Sequence, residues 1–147
     1  YPGPHGGNLD SVDVAEGNFL WLPVFVPGAN ISFGDAHAAM GEGEVCGTGA
    51  EIEATITATV NLHREMALEG PVITTDKKTA FLSSSEDLVH AVKGSLERAV
   101  RSLMKKNRLS EQEATITASL AGNARICQLV NGRATASFEL PKEVFIW

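Results

Sequence analysis

The sequence predicts a β-dominated α+β domain with one long amphipathic helix. Three features carry the prediction: an apolar–polar alternation from Ala50 to Leu62, a helical apolar stripe between Glu86 and Lys106, and an Asn131-Gly132 pair between two strand-like runs. Period two marks a strand, a 3.6-residue period marks a helix, and Asn-Gly favours a tight hairpin turn.

Residues 1–18 are rich in Gly, Pro and Asn and are expected to be loop. Leu20-Trp21-Leu22-Pro23-Val24-Phe25-Val26 is continuously apolar, which suits a strand buried on both faces. Pro23 lacks an N–H for the ladder, so that strand is expected at a sheet edge or with a bulge. From Ala50 to Leu62, Ile52, Ala54, Ile56, Ala58, Val60 and Leu62 share one face, while Glu51, Glu53, Thr55, Thr57, Thr59 and Asn61 share the other. That pattern predicts a long strand with one buried face. Val72-Ile73-Thr74 and Thr79-Ala80-Phe81-Leu82 flank Asp76-Lys77-Lys78 as a hairpin.

In the helix, Leu88, Val92, Leu96, Ala99 and Leu103 recur at spacings of three and four, and Val89 and Val100 widen the stripe. Ser84 ahead of Asp87 gives an N-cap pattern. Glu97, Arg98, Arg101 and Lys105 fall mostly on the outer face, and Lys105-Lys106-Asn107-Arg108 places cations where they favour the helix dipole. Ser110-Glu111-Gln112-Glu113 is a second capping box, so Ala114 to Leu120 is expected as a short helix ending near Gly122, although it also alternates like a strand. Ala124 to Val130 and Arg133 to Leu140 then form a hairpin around Asn131-Gly132.

A chain of 147 residues with 44% hydrophobic residues suffices for one domain with a core, and its net charge of −6 argues against nucleic acid as a partner. No apolar stretch approaches the roughly 18–20 residues of a membrane span, and no secretory pattern opens the chain. Cys46 and Cys127 are far apart in sequence, which suits reduced thiols and a cytoplasmic setting. The glycosylation triplet Asn30-Ile31-Ser32 has no supporting secretory signal. Gly41-Glu42-Gly43-Glu44 lacks both the last glycine and the following helix of a dinucleotide loop.

Two segments concentrate chemistry. Asp35-Ala36-His37 lies between glycines, with Glu42 and Glu44 following; on extended backbone an Asp and a His two apart point the same way and could reach one cation. The alternative is a solvated, Gly-rich surface loop. In His5-Gly6-Gly7-Asn8-Leu9-Asp10 the glycines let backbone approach a ligand while His5, Asn8 and Asp10 supply polar heads; a flexible terminus is the alternative there.

Taken together and in order, these segments resemble the acetamidase/formamidase family. The resemblance runs through His-Gly-Gly-Asn-Leu-Asp, Pro27-Gly28-Ala29, Gly-Asp-x-His-Ala-Ala-x-Gly-x-Gly-Glu, and Val45-Cys46-Gly47-Thr48-Gly49-Ala50-Glu51. It continues through Arg125-Ile126-Cys127-Gln128-Leu129-Val130-Asn131 to Leu140-Pro141-Lys142. Met40 stands where glutamine is usual and Glu42 where aspartate is usual. The resemblance implies a β-sandwich-like core with an added α/β portion, and hydrolysis of formamide or acetamide to the acid and ammonia by a cytoplasmic oligomer. Lactam hydrolysis, or a non-catalytic metal-binding or assembly role, are its alternatives.

Amide hydrolysis needs a polarised carbonyl and a base for water. On that reading Asp10, Asp35 and His37 are expected to ligate a divalent metal, with zinc best suited to N/O donors. Glu44 is the expected general base, Glu51 a reserve base or an orienter, and His5 and Asn8 substrate contacts. Glu53 is expected on a solvated strand face. Cys46 is a weaker alternative nucleophile, because neighbouring carboxylates raise a thiol pKa. The family's chains are longer, and the first residue is Tyr1. Residues 1–147 are therefore expected to be the carboxyl-terminal part, partnered by an amino-terminal part of the same protein and assembled as a homo-oligomer.

Overall fold

The computed structural model describes residues 1–145. Its elements are β1 (Phe19–Trp21), β2 (Val72–Thr74), β3 (Lys78–Ser85), α1 (Leu88–Asn107), α2 (Glu111–Ala121), β4 (Asn123–Gln128) and β5 (Ala134–Pro141), closed by a 3-10 turn at Lys142–Val144. The strands form one five-stranded sheet in the order β1-β2-β3-β5-β4, antiparallel at every pairing. This is the expected β-dominated α+β architecture.

Alternation along the central strands explains how the sheet is covered. Phe81 of β3 and Phe138 and Leu140 of β5 face the helices, joining Val72, Ala99, Val100, Leu103, Ala114 and Ala118 in the larger core cluster. Ala80 and Leu82 point the other way and pack with Ile73, Cys127 and Leu9 of the N-terminal loop. The polar residues of β5, Thr135, Ser137 and Glu139, share that second face and are all buried. One side of the sheet is therefore closed by helices, and the other by a loop over mixed polar and apolar residues.

Helix α1 starts at Leu88, two residues after the Glu86 expected from the sequence pattern. Asp87, not Ser84, is the N-cap, and its carboxylate accepts the His90 backbone N–H at 2.8 Å. Its buried stripe is Ala91, Ser95, Ala99, Val100 and Leu103; these mostly small residues allow close approach, and Gly94 lies directly against Ser83 of β3. Val89, expected to widen the stripe, is exposed. Arg98 also departs from expectation: its guanidinium turns inward to donate to Leu82 O and, at 3.0 Å, to Pro71 O. Burial pushes its pKa down to about 10, which still leaves it charged at neutral pH. Lys105 and Lys106 close the helix, and Arg108 caps it in left-handed conformation. The second capping box is present in full at Ser110 and Glu113, so α2 is a helix although its sequence alternates.

Two expectations about strands are corrected. The Leu20–Val26 run contributes only through Trp21 to the edge strand β1, and Val24, Phe25 and Val26 are exposed. Pro23 follows the strand end, where the missing N–H interrupts any further ladder. The Ala50–Leu62 segment forms no strand pairing beyond Ile52, and its apolar Ile52, Ile56, Val60 and Leu62 are exposed. Alternation states which face seeks cover; it does not supply the neighbouring strand that the ladder requires. The last hairpin exists, but its connection spans residues 129–133 rather than two residues, with only Gly132 of the Asn-Gly pair at positive φ. Among the described residues no helix is long and apolar enough to cross a membrane.

Leu103 is fully buried between α1 and the sheet. Leu103→Ala is expected to cost about 2–5 kcal/mol, whereas Val89→Ala should stay within about 0.5 kcal/mol. Urea unfolding of both variants checks the assignment of the helix faces.

Candidate functional site

The site gathers on the sheet face away from the helices, where three loops meet the end of β4. The first element is a short antiparallel contact between segments 36–39 and 50–52. Ala38 N–H donates to Ala50 O at 2.8 Å and Ala50 N–H to Ala39 O at 2.8 Å, which sets His37 directly opposite Glu51. Cross-strand neighbours have adjacent side chains, and His37 Nε2 lies 3.0 Å from Glu51 Oε1. Asp35 Oδ1 is 3.5 Å from the same nitrogen. Thr48 Oγ1 donates to Glu51 Oε1 at 2.9 Å and orients it. The imidazole packs against Gly49, where a Cβ would stand 2.6 Å from His37 Cγ, so only glycine leaves room for the ring.

The second element is a carboxyl pair. Glu44 is buried, and its carboxyl stands near enough to that of Asp10 for each to shift the other's pKa. Glu44 Oε2 is buried without any hydrogen-bond partner. Asp10 is also held by the Asn131 side-chain amide, which donates to its Oδ2. Burial first, and then the opposing carboxyl, raises the Glu44 pKa above the ordinary value. Burial likewise raises Asp10, with the charge of Asp35 adding to it and the Glu44 and Asn131 hydrogen bonds working against it. At His37, desolvation opposes the charged form, but the Glu51 hydrogen bond and the charges of Glu51, Asp35 and Glu44 prevail and raise its pKa.

Asp10, Asp35 and Glu44 adopt left-handed backbone conformations, with φ of 44°, 64° and 43°. Such φ values are uncommon outside glycine and concentrate at functional sites. The i, i+2 argument for Asp35 and His37 assumed extended backbone; the two side chains converge although Asp35 is not extended.

A ladder of alternating charges steadies these loops. Asp13 accepts from Lys78 Nζ at 2.8 Å, Lys78 reaches Glu139 at 2.7 Å, Arg125 lies 3.5 Å from Glu139, and Arg125 also pairs with Glu42. Burial disfavours the Lys78 ammonium, but Asp13 and Glu139 outweigh that and raise its pKa. One end of the ladder lies three residues after Asp10 and the other two residues before Glu44.

The structure thus brings together Asp10, Asp35, His37, Glu44 and Glu51. Asp35, His37 and Glu51 each offer one ligand atom, all within 4.8 Å of one another; Asp10 lies outside that group, against Glu44. His5 is exposed and folds back over the turn at Gly3 and Gly7, while Asn8 is half-buried; among the described residues neither hydrogen-bonds to the acids. Glu53 is exposed. Cys46 is exposed, its thiol directed to Thr48 O at 3.5 Å. Cys127 is buried in the sheet, which pushes its thiol up to about 11. Asn131, Gln128, Lys78, Arg125 and Glu139 escaped the sequence reading. Arg125, Gln128 and Asn131 fall in a segment shared with the family but carry no site role there, and charges on separate strands carry no local signal of their pairing.

The sequence profile described as the acetamidase/formamidase family matches residues 1–147. The chain belongs to that family. A solved acetamidase from Bacillus halodurans superposes with a TM-score of 0.94 at 39% identity, over 97% of this chain and 48% of its own. An acetamidase from Yersinia enterocolitica gives 0.96 at 29% identity, over 100% of this chain and 44% of its own. The formamidase of Methylophilus methylotrophus is 39% identical over 49 residues, 33% of this chain and 12% of that protein. The chain therefore spans about half the length of the solved family members it matches.

Raised carboxyl pKa values make the pair a stability liability in metal-free protein. A folded-state pKa above the ordinary value of about 4 penalises folding at neutral pH, and the penalty fades as pH falls through the raised value. Glu44→Gln should therefore have the higher Tm at pH 7, and the difference should shrink on acidification. Thermal unfolding of both proteins in chelator from pH 7 to pH 4 measures this; a difference independent of pH would contradict it.

Proposed function

We propose that this chain carries the catalytic centre for hydrolysis of short aliphatic amides, formamide and acetamide, to the carboxylic acid and ammonia, with a divalent metal, zinc, as cofactor. Family membership and relatives named acetamidase and formamidase support the reaction class. The observation that carries the reading is the buried, partnerless Glu44 oxygen beside the Asp35–His37–Glu51 group.

The donor set suits the proposed ion. One imidazole nitrogen and two carboxylate oxygens are donors that zinc takes, and His37 Nε2 lies 3.5 Å from Asp35 and 3.0 Å from Glu51. Asp35, His37 and Glu51 would hold the ion, Glu51 in place of the Asp10 assigned from sequence. When bound, such an ion polarises an amide carbonyl and acidifies water. Glu44 does the proton work: its partnerless carboxylate oxygen takes a proton from the attacking water. It then returns a proton to the amide nitrogen, so the C–N bond breaks with neutral ammonia leaving. A raised pKa makes Glu44 a stronger base than an exposed carboxylate. Zinc content and ammonia release from formamide and acetamide test the reading together. Glu44→Gln should keep zinc and lower kcat by about 10²–10⁴-fold, and near-normal turnover would move the base elsewhere.

The same reading extends to the partners. Ile52, Ile56, Val60 and Leu62 line one exposed apolar face, and Phe25, Val26, Ile31 and Phe33 are also exposed. So many exposed large apolar residues between positions 25 and 62 mark a contact region. Its proposed cover is the amino-terminal part of the same family protein, within a homo-oligomer. Ile56→Asp should then release that cover, seen as a shift in size-exclusion elution of the intact protein. An unchanged elution volume, with the face still open to solvent, would oppose it.

A further inference from the structure

We propose that the buried amide of Gln128, acting through Asn131, is a positioning residue for the Asp10–Glu44 pair; the inference rests on the reading of that pair given above. Gln128 closes β4 beside a register shift between Ile126 and Gln128. That irregularity leaves the amide beneath the 129–133 loop, fully buried. Its Nε2 donates to Arg133 O at 2.6 Å and to Thr135 Oγ1 at 2.9 Å. Its Oε1 accepts from Val130 N–H at 2.8 Å and from Asn131 N–H at 3.2 Å. Two donors and two acceptor sites are the whole capacity of a primary amide, and these partners admit one orientation only. A side chain saturated in this way, without solvent contact, sets the loop conformation rather than following it.

The consequence reaches both carboxyls. The loop residue whose backbone Gln128 holds, Asn131, is the one whose side chain donates to Asp10 Oδ2. The residues on either side of Gln128 hold the other acid's loop: Gly43 N–H donates to Cys127 O at 2.9 Å, and Leu129 N–H to Gly43 O at 3.1 Å, with Glu44 next in the chain. Asp10 and Glu44 are 34 residues apart in sequence (44 − 10), yet both are referenced to one corner of the sheet. Both have left-handed φ values that need outside support. Loss of the Asn131 donor frees the Asp10 carboxyl to rotate and takes the Glu44 carboxyl with it.

The experiment uses the intact protein with Gln128→Leu, Asn131→Asp and the double variant. Asn131→Asp keeps the loop's shape and its backbone bond to Gln128 while replacing the donor by an acceptor, so it tests the idea even if Gln128→Leu fails to fold. Misplacement near the reacting groups costs up to about 10²-fold. Each single variant should lower kcat by about 10–100-fold with little change in KM, and the double should be no worse than the poorer single. In NMR spectra the Asn131 side-chain amide should be protected from exchange in the wild type and lose protection in Gln128→Leu. Unchanged kcat in Asn131→Asp, multiplying effects in the double, or an unaltered Asn131 signal in a folded Gln128→Leu would overturn the proposal. If the wild type releases no ammonia from either amide, the amidase reading fails, and the Asn131 signal still decides the positioning claim.

Discussion

The antiparallel pairing of β3 with β5 from Lys78↔Pro141 to Ser85↔Ala134 is the constraint on which the rest depends. All of β5 except its last residue is buried, so its two faces are specified by different partners. Phe138 and Leu140 are committed to the helices, and Thr135, Ser137 and Glu139 to the loop-covered side. A slip of one residue would exchange these sets, placing Glu139 in the apolar cluster and Phe138 among the charges. That register also places β4, which has β5 as its neighbour, and with it the Cys127–Asn131 corner where the acids dock.

The two faces of the sheet follow different physical logic. The helix side is apolar, filled by small residues that let α1 approach closely. The opposite side is organised by directional contacts: the Asp13–Lys78–Glu139–Arg125–Glu42 ladder and the saturated Gln128 amide. Ion pairs under cover, as between the half-buried Lys78 and the buried Glu139, add more to geometry than to net stability. Geometry is what the site needs. Three acids in left-handed conformations, each costing on the order of 1–3 kcal/mol, with two carboxyls forced together under cover, would relax if nothing held them. Stability of the sheet is thus spent on a strained cluster, as is common where a protein performs chemistry.

The exposed apolar face of the extended segment fits the same division. Local pattern and structure agree closely in the sheet and helices, where each element meets its complement. They disagree at Ile52 to Leu62, where a strand pattern stands without a strand beside it. The proposed cover over this face would bring that strong local signal and its surroundings into agreement.

Sequence alone determined the elements whose signals are local: the β2–β3 hairpin, the caps at Ser110 and Glu113, the end of α1 at its lysines, and the α+β class. Glycines around ionisable side chains also marked Asp35, His37, Glu42 and Glu44, while Glu51 and the roles given to Asp10, His5 and Asn8 came only with the family resemblance. Only the tertiary structure decided that Glu51 rather than Asp10 stands with His37. A chance to pair across segments 36–39 and 50–52 is written nowhere in the local pattern. The inward turn of Arg98, the exposure of Val24 to Val26, and the roles of Asn131 and Gln128 were equally illegible. Periodicity reports which face of a segment avoids water, whereas a hydrogen bond between residues 121 positions apart, as between Asp10 and Asn131, depends on where the whole chain has brought its ends.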